Sequence, residues 1–240
     1  MKRYILFFIL AVFVLALGNS SAYAEEKPRV GVLRFTNNVA GLYWWHSSVA
    51  DDLADLLASE LVSTRAFQIL ERKEINAVFS EQDLSASGRV SQETMVQMKK
   101  VKGAKYLIAG TVSAFEESGS TGGGIRFKGI SLGAKKSEVY IAVDVKIIDT
   151  ETGEIVDART IEGRAKATKV DAGLDLRNFS VGGEKAKNTP VGKAIRACVL
   201  YISEYLSCSL VEGLDAPCMD EWNKADAKRK GKTKKAISLD

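Results

Sequence analysis

KYLIAGTVSA, residues 105–114, is the segment around which the rest of the chain organises. Gly103-Ala104 closes the helical pattern before it, and the apolar, β-branched run reads as a strand. Working back from it, Ser91–Val101 has the pattern of a helix capped by Ser91, with Glu93 and Thr94 in its first turn. Before that, Glu71–Gln82 reads as a helix with Ile75, Val78 and Phe79 on one side, and Ala66–Leu70 as a short strand. Val49, Leu53, Leu56, Leu57 and Leu61 fall at helical spacing, with Asp51, Asp52 and Asp55 on another face and Ser48 placed to cap. Arg29–Phe35, RVGVLRF, is a further strand. A polar loop, Thr36–Ser47, joins it to the first helix and ends in the adjacent aromatics Tyr43, Trp44 and Trp45. The order strand, helix, strand, helix, helix, strand predicts an α/β sandwich.

Downstream the character changes. Gly119–Gly124 is a Gly/Ser/Thr stretch, followed by Ile125–Leu132 and then by Val139–Ile148, where Val139, Ile141, Val143, Val145 and Ile147 alternate strictly. Asp149–Gly153 reads as a hairpin turn and Glu154–Lys166 as the partner strand. Val170, Ala172, Leu174 and Leu176 alternate with Asp171, Gly173, Asp175 and Arg177. Thr189-Pro190 opens a last helix, with an N-cap and a proline in the first position. Its residues Val191, Ala194, Ile195, Cys198, Ile202, Tyr205 and Leu206 mark one buried face.

Both ends carry signals of their own. Met1-Lys2-Arg3, the 14-residue apolar stretch Tyr4–Leu17 and the small residues of Ala22-Tyr23-Ala24 make up a cleavable secretory signal peptide over residues 1–24. The stretch is shorter than the roughly 20 residues that span a bilayer as a helix. No cysteine directly follows it, so the expectation is export to the periplasm or outer membrane without a lipid anchor. Removing Lys2 and Arg3 lowers the net charge from +4 to +2, which names no partner. Residues 221–240 hold Lys224, Lys228, Arg229, Lys230, Lys232, Lys234 and Lys235 with few apolar residues, and read as a basic disordered tail.

The three cysteines, Cys198, Cys208 and Cys218, lie in a chain bound for a compartment where disulfides form. On one continuous helix Cys198 and Cys208 would stand about 15 Å apart, too far to bridge. Gly213 and Pro217 let the chain turn between Cys208 and Cys218, which makes that the expected pair and leaves Cys198 a buried free thiol.

The chemistry of an enzyme is missing. His46 is the one histidine, so a serine or cysteine nucleophile lacks a choice of bases and no zinc or iron site can be assembled around it. Gly122-Gly123-Gly124 lacks the spacing and following helix of a dinucleotide fingerprint, and no phosphate loop is present. Glu116-Glu117 and Asp51-Asp52 are sequence neighbours that point apart rather than an acid and base pair. The expectation is a non-enzymatic protein with no cofactor or metal and no nucleic-acid partner.

Two stretches, FQILER at residues 67–72 and GAKYLIAGTV at residues 103–112, resemble the CsgG family, which includes the curli secretion channel and the holdfast anchor HfaB. They are also similar to the TolB N-terminal domain and to the penicillin-binding-protein activator LpoB. The continuation GGGIRFKGI at residues 122–130, the strand and turn Ile141–Gly153, and Val170-Asp171-Ala172-Gly173 point to CsgG. The resemblance covers about residues 29–212 and puts a CsgG-like domain at residues 25–220.

In that family subunits form a homo-oligomeric ring, each giving two β-hairpins to one outer-membrane barrel, while a loop after the first strand narrows the pore. The resemblance implies hairpins at about residues 115–145 and 158–184, with Ile125, Phe127, Val170, Ala172, Leu174 and Leu176 facing the membrane. Tyr43, Trp44 and Trp45 become the constriction candidates. The implied role is export of polypeptide, curli-like or adhesin, by diffusion, with envelope accessory proteins as partners. Against the family pattern, the second hairpin is short and the loop after the first strand is reduced. A soluble periplasmic adaptor built on the same α/β domain remains the alternative.

Overall fold

The computed structural model describes residues 26–98, 100–121, 125–127, 130–132, 135–167 and 189–236. The chain begins with β1 (Arg29–Val32), β2 (Thr36–Asn37) and α1 (Ser47–Thr64). Then come β3 (Gln68–Ile69), α2 (Ile75–Ala86) and β4 (Tyr106–Thr121). The short β5 (Ile125–Phe127) and β6 (Ile130–Leu132) precede β7 (Lys135–Asp149) and β8 (Ile155–Ala167). Two helices close the chain, α3 (Pro190–Ser207) and α4 (Pro217–Ala236), joined through a π-helical turn at Cys208–Glu212.

The main sheet runs β3-β1-β4-β7-β8, with β2 paired to β4 off that path. β1 lies parallel to β3 and β4, while β7 and β8 add antiparallel. The antiparallel half follows from the tight turn at residues 149–153, where Gly153 takes φ +74° and Asp149 Oδ1 accepts the amides of Glu151 and Thr152.

α1 and α3 cover one face of this sheet. The alternating residues Val143, Val145 and Ile147 meet Leu53, Leu57 and Leu61 of α1 and Ile195, Ile202 and Leu206 of α3 in a single core. Thr189 caps α3, its Oγ1 accepting the Gly192 amide at 3.0 Å, and all seven residues of the expected buried face are buried. By length and composition Pro190–Glu212 could cross a membrane. Its apolar stripe is instead spent on the sheet, which marks it as a core helix. Where α3 crosses β8 the strand carries Gly163, because a Cβ there would come within 2.6 Å of Cys198 Sγ.

Three local expectations change. α1 begins at Ser47 with His46 as its N-cap, and Ser48 bonds the His46 ring instead of capping. α2 starts four residues later than its pattern, because Glu71 Oε1 accepts the amides of Lys73 and Glu74 and holds that stretch as a turn. Residues 91–98 are not helical: Ser91 and Thr94 close on each other at 2.8 Å, and the Val96 amide is drawn to Ser85 Oγ. Met95, Val96 and Met98 are exposed, so no packing offsets the cost of ordering a short helix there.

The basic tail is also corrected, since residues 217–236 form α4. Asp226 pairs with Arg229 and Lys230 one turn ahead, Asp220 sits in the first turn and Lys234 and Lys235 in the last, where the helix dipole favours them. Cys208 and Cys218 are bridged, with Cα atoms 6.0 Å apart, and Trp222 packs edge-on against Tyr205 at 5.8 Å. The helix is thus fastened at its start, which composition alone does not reveal.

Candidate functional site

The loop between β2 and α1 is folded down rather than free. Asn37 brackets Val39 through both ends of its amide, Gly41 turns the chain with φ +68°, and the Trp45 amide bonds the Leu42 carbonyl at 3.0 Å. Trp44 is then fully buried, 0 % exposed, and packs edge-on against Phe115 at 5.6 Å and Trp45 at 6.0 Å. The constriction reading of Trp44 is therefore corrected: a ring sealed in the core of one subunit lines no passage. Trp45 is half-buried against the same core.

Tyr43 is the member of the aromatic triplet that faces outward, at 47 % exposed. Its ring rests on Phe115 at 5.9 Å and its hydroxyl donates to Glu117 Oε2 at 2.7 Å. Burial of the ring, then the bond to Glu117 and the charge of that carboxylate, push the phenol well up from its ordinary value. Tyr43 is accordingly a fixed neutral donor above an acidic residue. The sequence shows Glu117 only as a neighbour of Glu116 and gives Phe115 no role at this site, although both continue β4 directly beyond KYLIAGTVSA.

β4 and β7 carry this site outward. Their pairing runs from Tyr106↔Asp149 to Thr121↔Lys135, with one irregularity between Val112 and Ala114. Beyond the pair lies the small β5–β6 ladder, in which Ile125 is opposite Leu132 and Phe127 opposite Ile130. One face of β7–β8, with Val139, Ile141, Ala165 and Gly163, is buried under α3. The other face is wet. Arg164 stacks over Tyr140 at 4.7 Å and pairs with Glu162 at 3.5 Å, and Lys166 reaches Glu138 at 3.9 Å. Burial, and then Glu162, push the Tyr140 phenol up to about 12. Val170, Ala172, Leu174 and Leu176 lie outside the described residues.

For catalysis the arrangement offers little. Among the described residues no three His, Cys, Asp or Glu side chains gather as a metal would need. Cys198 is a buried thiol turned to the carbonyls of Ile141 and Ile161, and burial pushes it up to about 12, away from any thiolate chemistry.

The model of the family described as "Curli production assembly/transport component CsgG" matches residues 14–237. The chain belongs to the CsgG family. Curated CsgG proteins of that description from Salmonella typhimurium and Escherichia coli are 24 % and 23 % identical over 191 residues, covering 75 % of this chain and 68 % of theirs. Among solved structures, a hypothetical protein from Chlamydia trachomatis aligns with TM-score 0.48 at 11 % identity, over 78 % of this chain and 99 % of its own. Membership of CsgG supports a general assembly or transport role in the envelope, and relatives of this kind are transport components rather than known enzymes.

Proposed function

We propose that the chain is the subunit of a CsgG-like ring that forms an outer-membrane channel and lets unfolded polypeptide through by diffusion. The observation that carries this reading is the β4–β7 arm. From Val139, the last core residue on β7, the paired strands run on to Thr121↔Lys135, about 13 Å at the ordinary rise per residue, and the separate β5–β6 ladder follows between them in sequence. Membrane barrel strands need about 9–11 residues and must be closed by neighbours, because unpaired backbone is not tolerated in lipid. In this reading Ile125 and Phe127 face lipid on the first hairpin, and Val170, Ala172, Leu174 and Leu176 on the second. Tyr43, held over Glu117, takes the lining role first considered for the whole triplet. Residues 1–24 direct export, with no lipid attached, and the α/β domain makes the periplasmic vestibule.

Fractionation with detergent extraction tests this, with unheated and heated samples run side by side on a denaturing gel. A large, heat-modifiable oligomer in the outer membrane is the expected result. A soluble periplasmic monomer or dimer would end the channel reading and leave the adaptor built on the same domain.

A further inference from the structure

β8 forms the outer edge of the sheet: among the described residues it pairs with β7 alone. A free edge presents N–H and C=O groups ready for another strand, and proteins usually blunt or cover it. Here a cleft of about 360 Å³ runs along that edge. Its walls are the β8 stretch 159–162, the outer side of α3 at Tyr201 and Glu204, and α4 from Glu221 to Arg229. Such a volume lies within the range of binding pockets, and four strand residues span roughly 13 Å.

A second observation concerns Arg159. Its side chain is 10 % exposed and is held over the Tyr205 ring at 5.4 Å. One nitrogen, Nη2, bonds Asn223 Oδ1 at 3.0 Å and reaches Asp157 at 3.6 Å. Nε and Nη1 are buried and have no hydrogen-bond partner, and neither does Nε of Arg229 across the cleft. Buried donors without acceptors are costly.

We infer that this cleft binds an extended segment of unfolded polypeptide, which adds to the sheet as a strand on the outer edge of β8. A peptide backbone supplies both things the cleft lacks: N–H and C=O groups for the strand edge, and carbonyl acceptors for the idle guanidinium nitrogens. Trp222, Ala225 and Tyr201 offer apolar surface for its side chains. Placing a peptide between an edge strand and a helix is an established way of recognising backbone first and side chains second. The carboxylates around the cleft are largely spoken for, Asp226 by Arg229 and Lys230 and Glu162 by Arg164. Glu204 and Glu221 stay on the rim and disfavour strongly acidic segments. This inference stands apart from the channel reading, because it concerns one subunit and needs no ring.

The test uses the purified protein and a fluorescent, reduced and carbamidomethylated ribonuclease A, which cannot fold and gains no negative charge from its blocked cysteines, with fluorescence anisotropy as the readout. A labelled oligoproline, which has no backbone N–H to give, is the control. Saturable binding of the unfolded chain, none of oligoproline, and at least about tenfold weaker binding in Ala225→Trp are expected, given that backbone pairing carries the affinity. Ala225 is exposed on α4, so its replacement fills the cleft without entering the core. Arg159→Met should weaken binding too, with circular dichroism confirming that the variant folds. No binding of the unfolded chain, equal binding of oligoproline, or an unchanged affinity in Ala225→Trp would each overturn the proposal. So would a result in which Ala225→Trp alters only self-association in sedimentation, since the edge would then pair copies of this chain.

Discussion

Replacing Gly163 by alanine should destabilise the protein through one identifiable collision. The new Cβ would stand 2.6 Å from Cys198 Sγ and 3.0 Å from the Cys198 amide nitrogen, and closer still to the Ala194 carbonyl oxygen. Two of these three are backbone atoms within the 18-residue helix α3, so no rotamer change relieves them and the helix must lift from β8. Overpacking of this kind costs about 1–3 kcal/mol, and a backbone obstruction belongs at the upper end. Alanine recovers about 0.5–1 kcal/mol by restricting the unfolded chain and suiting a strand better than glycine. The net loss is about 2 kcal/mol, which for a chain of this size lowers Tm by about 4–8 °C. Thermal unfolding followed by circular dichroism measures it. Adding Cys198→Ala removes the sulfur but leaves the Ala194 carbonyl, so rescue should be partial. A Gly163→Ala variant melting within about 1 °C of the parent would refute the close-approach argument.

Other outcomes follow from the same contacts. Trp44→Ala should cost about 3–5 kcal/mol in a denaturant titration, as for a large core side chain, while Tyr43→Phe, which loses only an exposed bond to Glu117, should cost about 1 kcal/mol or less. Reducing the Cys208–Cys218 bridge, or replacing both residues by serine, should remove about 3 kcal/mol on a chain-entropy estimate for so short a loop, read as a lower denaturation midpoint. The Cys198 thiol should be inert to a thiol reagent at pH 8 until the protein unfolds. Because its folded value is raised to about 12, its contribution to stability is complete below the ordinary thiol range near 8.5 and is lost as pH climbs from there. Asp226 has the opposite sign: the Lys230 ammonium, aided by Arg229, holds its carboxyl below the usual range. The support it gives α4 is present above about pH 4 and fades as pH falls through the folded value. Helical signal lost in acid by the parent should be insensitive at this position in Asp226→Asn.

Much of the sheet could be read from residue order, for physical reasons. The period-two run Val139–Ile147, the Asp149–Gly153 turn and the Thr189-Pro190 cap are local signals, and each appears where local energetics place it. Helices without a buried face were less legible. Ser91–Val101 carries a capping pattern and apolar residues at helical spacing, but side-chain bonds between Ser91 and Thr94 and from Ser85 take its backbone elsewhere. α4 went the other way, because its order comes from a disulfide and from Trp222 meeting Tyr205, contacts that cross sequence distance. The aromatic triplet shows the same limit. Adjacent residues in a loop carry no periodicity to say which ring turns inward: Tyr43 and Trp44 both rest on Phe115, and burial in the folded chain is what tells them apart.

The bridge between Cys208 and Cys218 ties the fourth helix to the third across a ten-residue separation. Its consequence is a division of the fold by compartment. The sheet, α1 and α3 close through burial alone and can form wherever the chain is made, whereas the wall that α4 contributes beside β8 is clasped only where thiols oxidise. A copy held among reducing thiols keeps its core and leaves that helix unclasped, so the surface beside the sheet edge answers to the redox state around the chain.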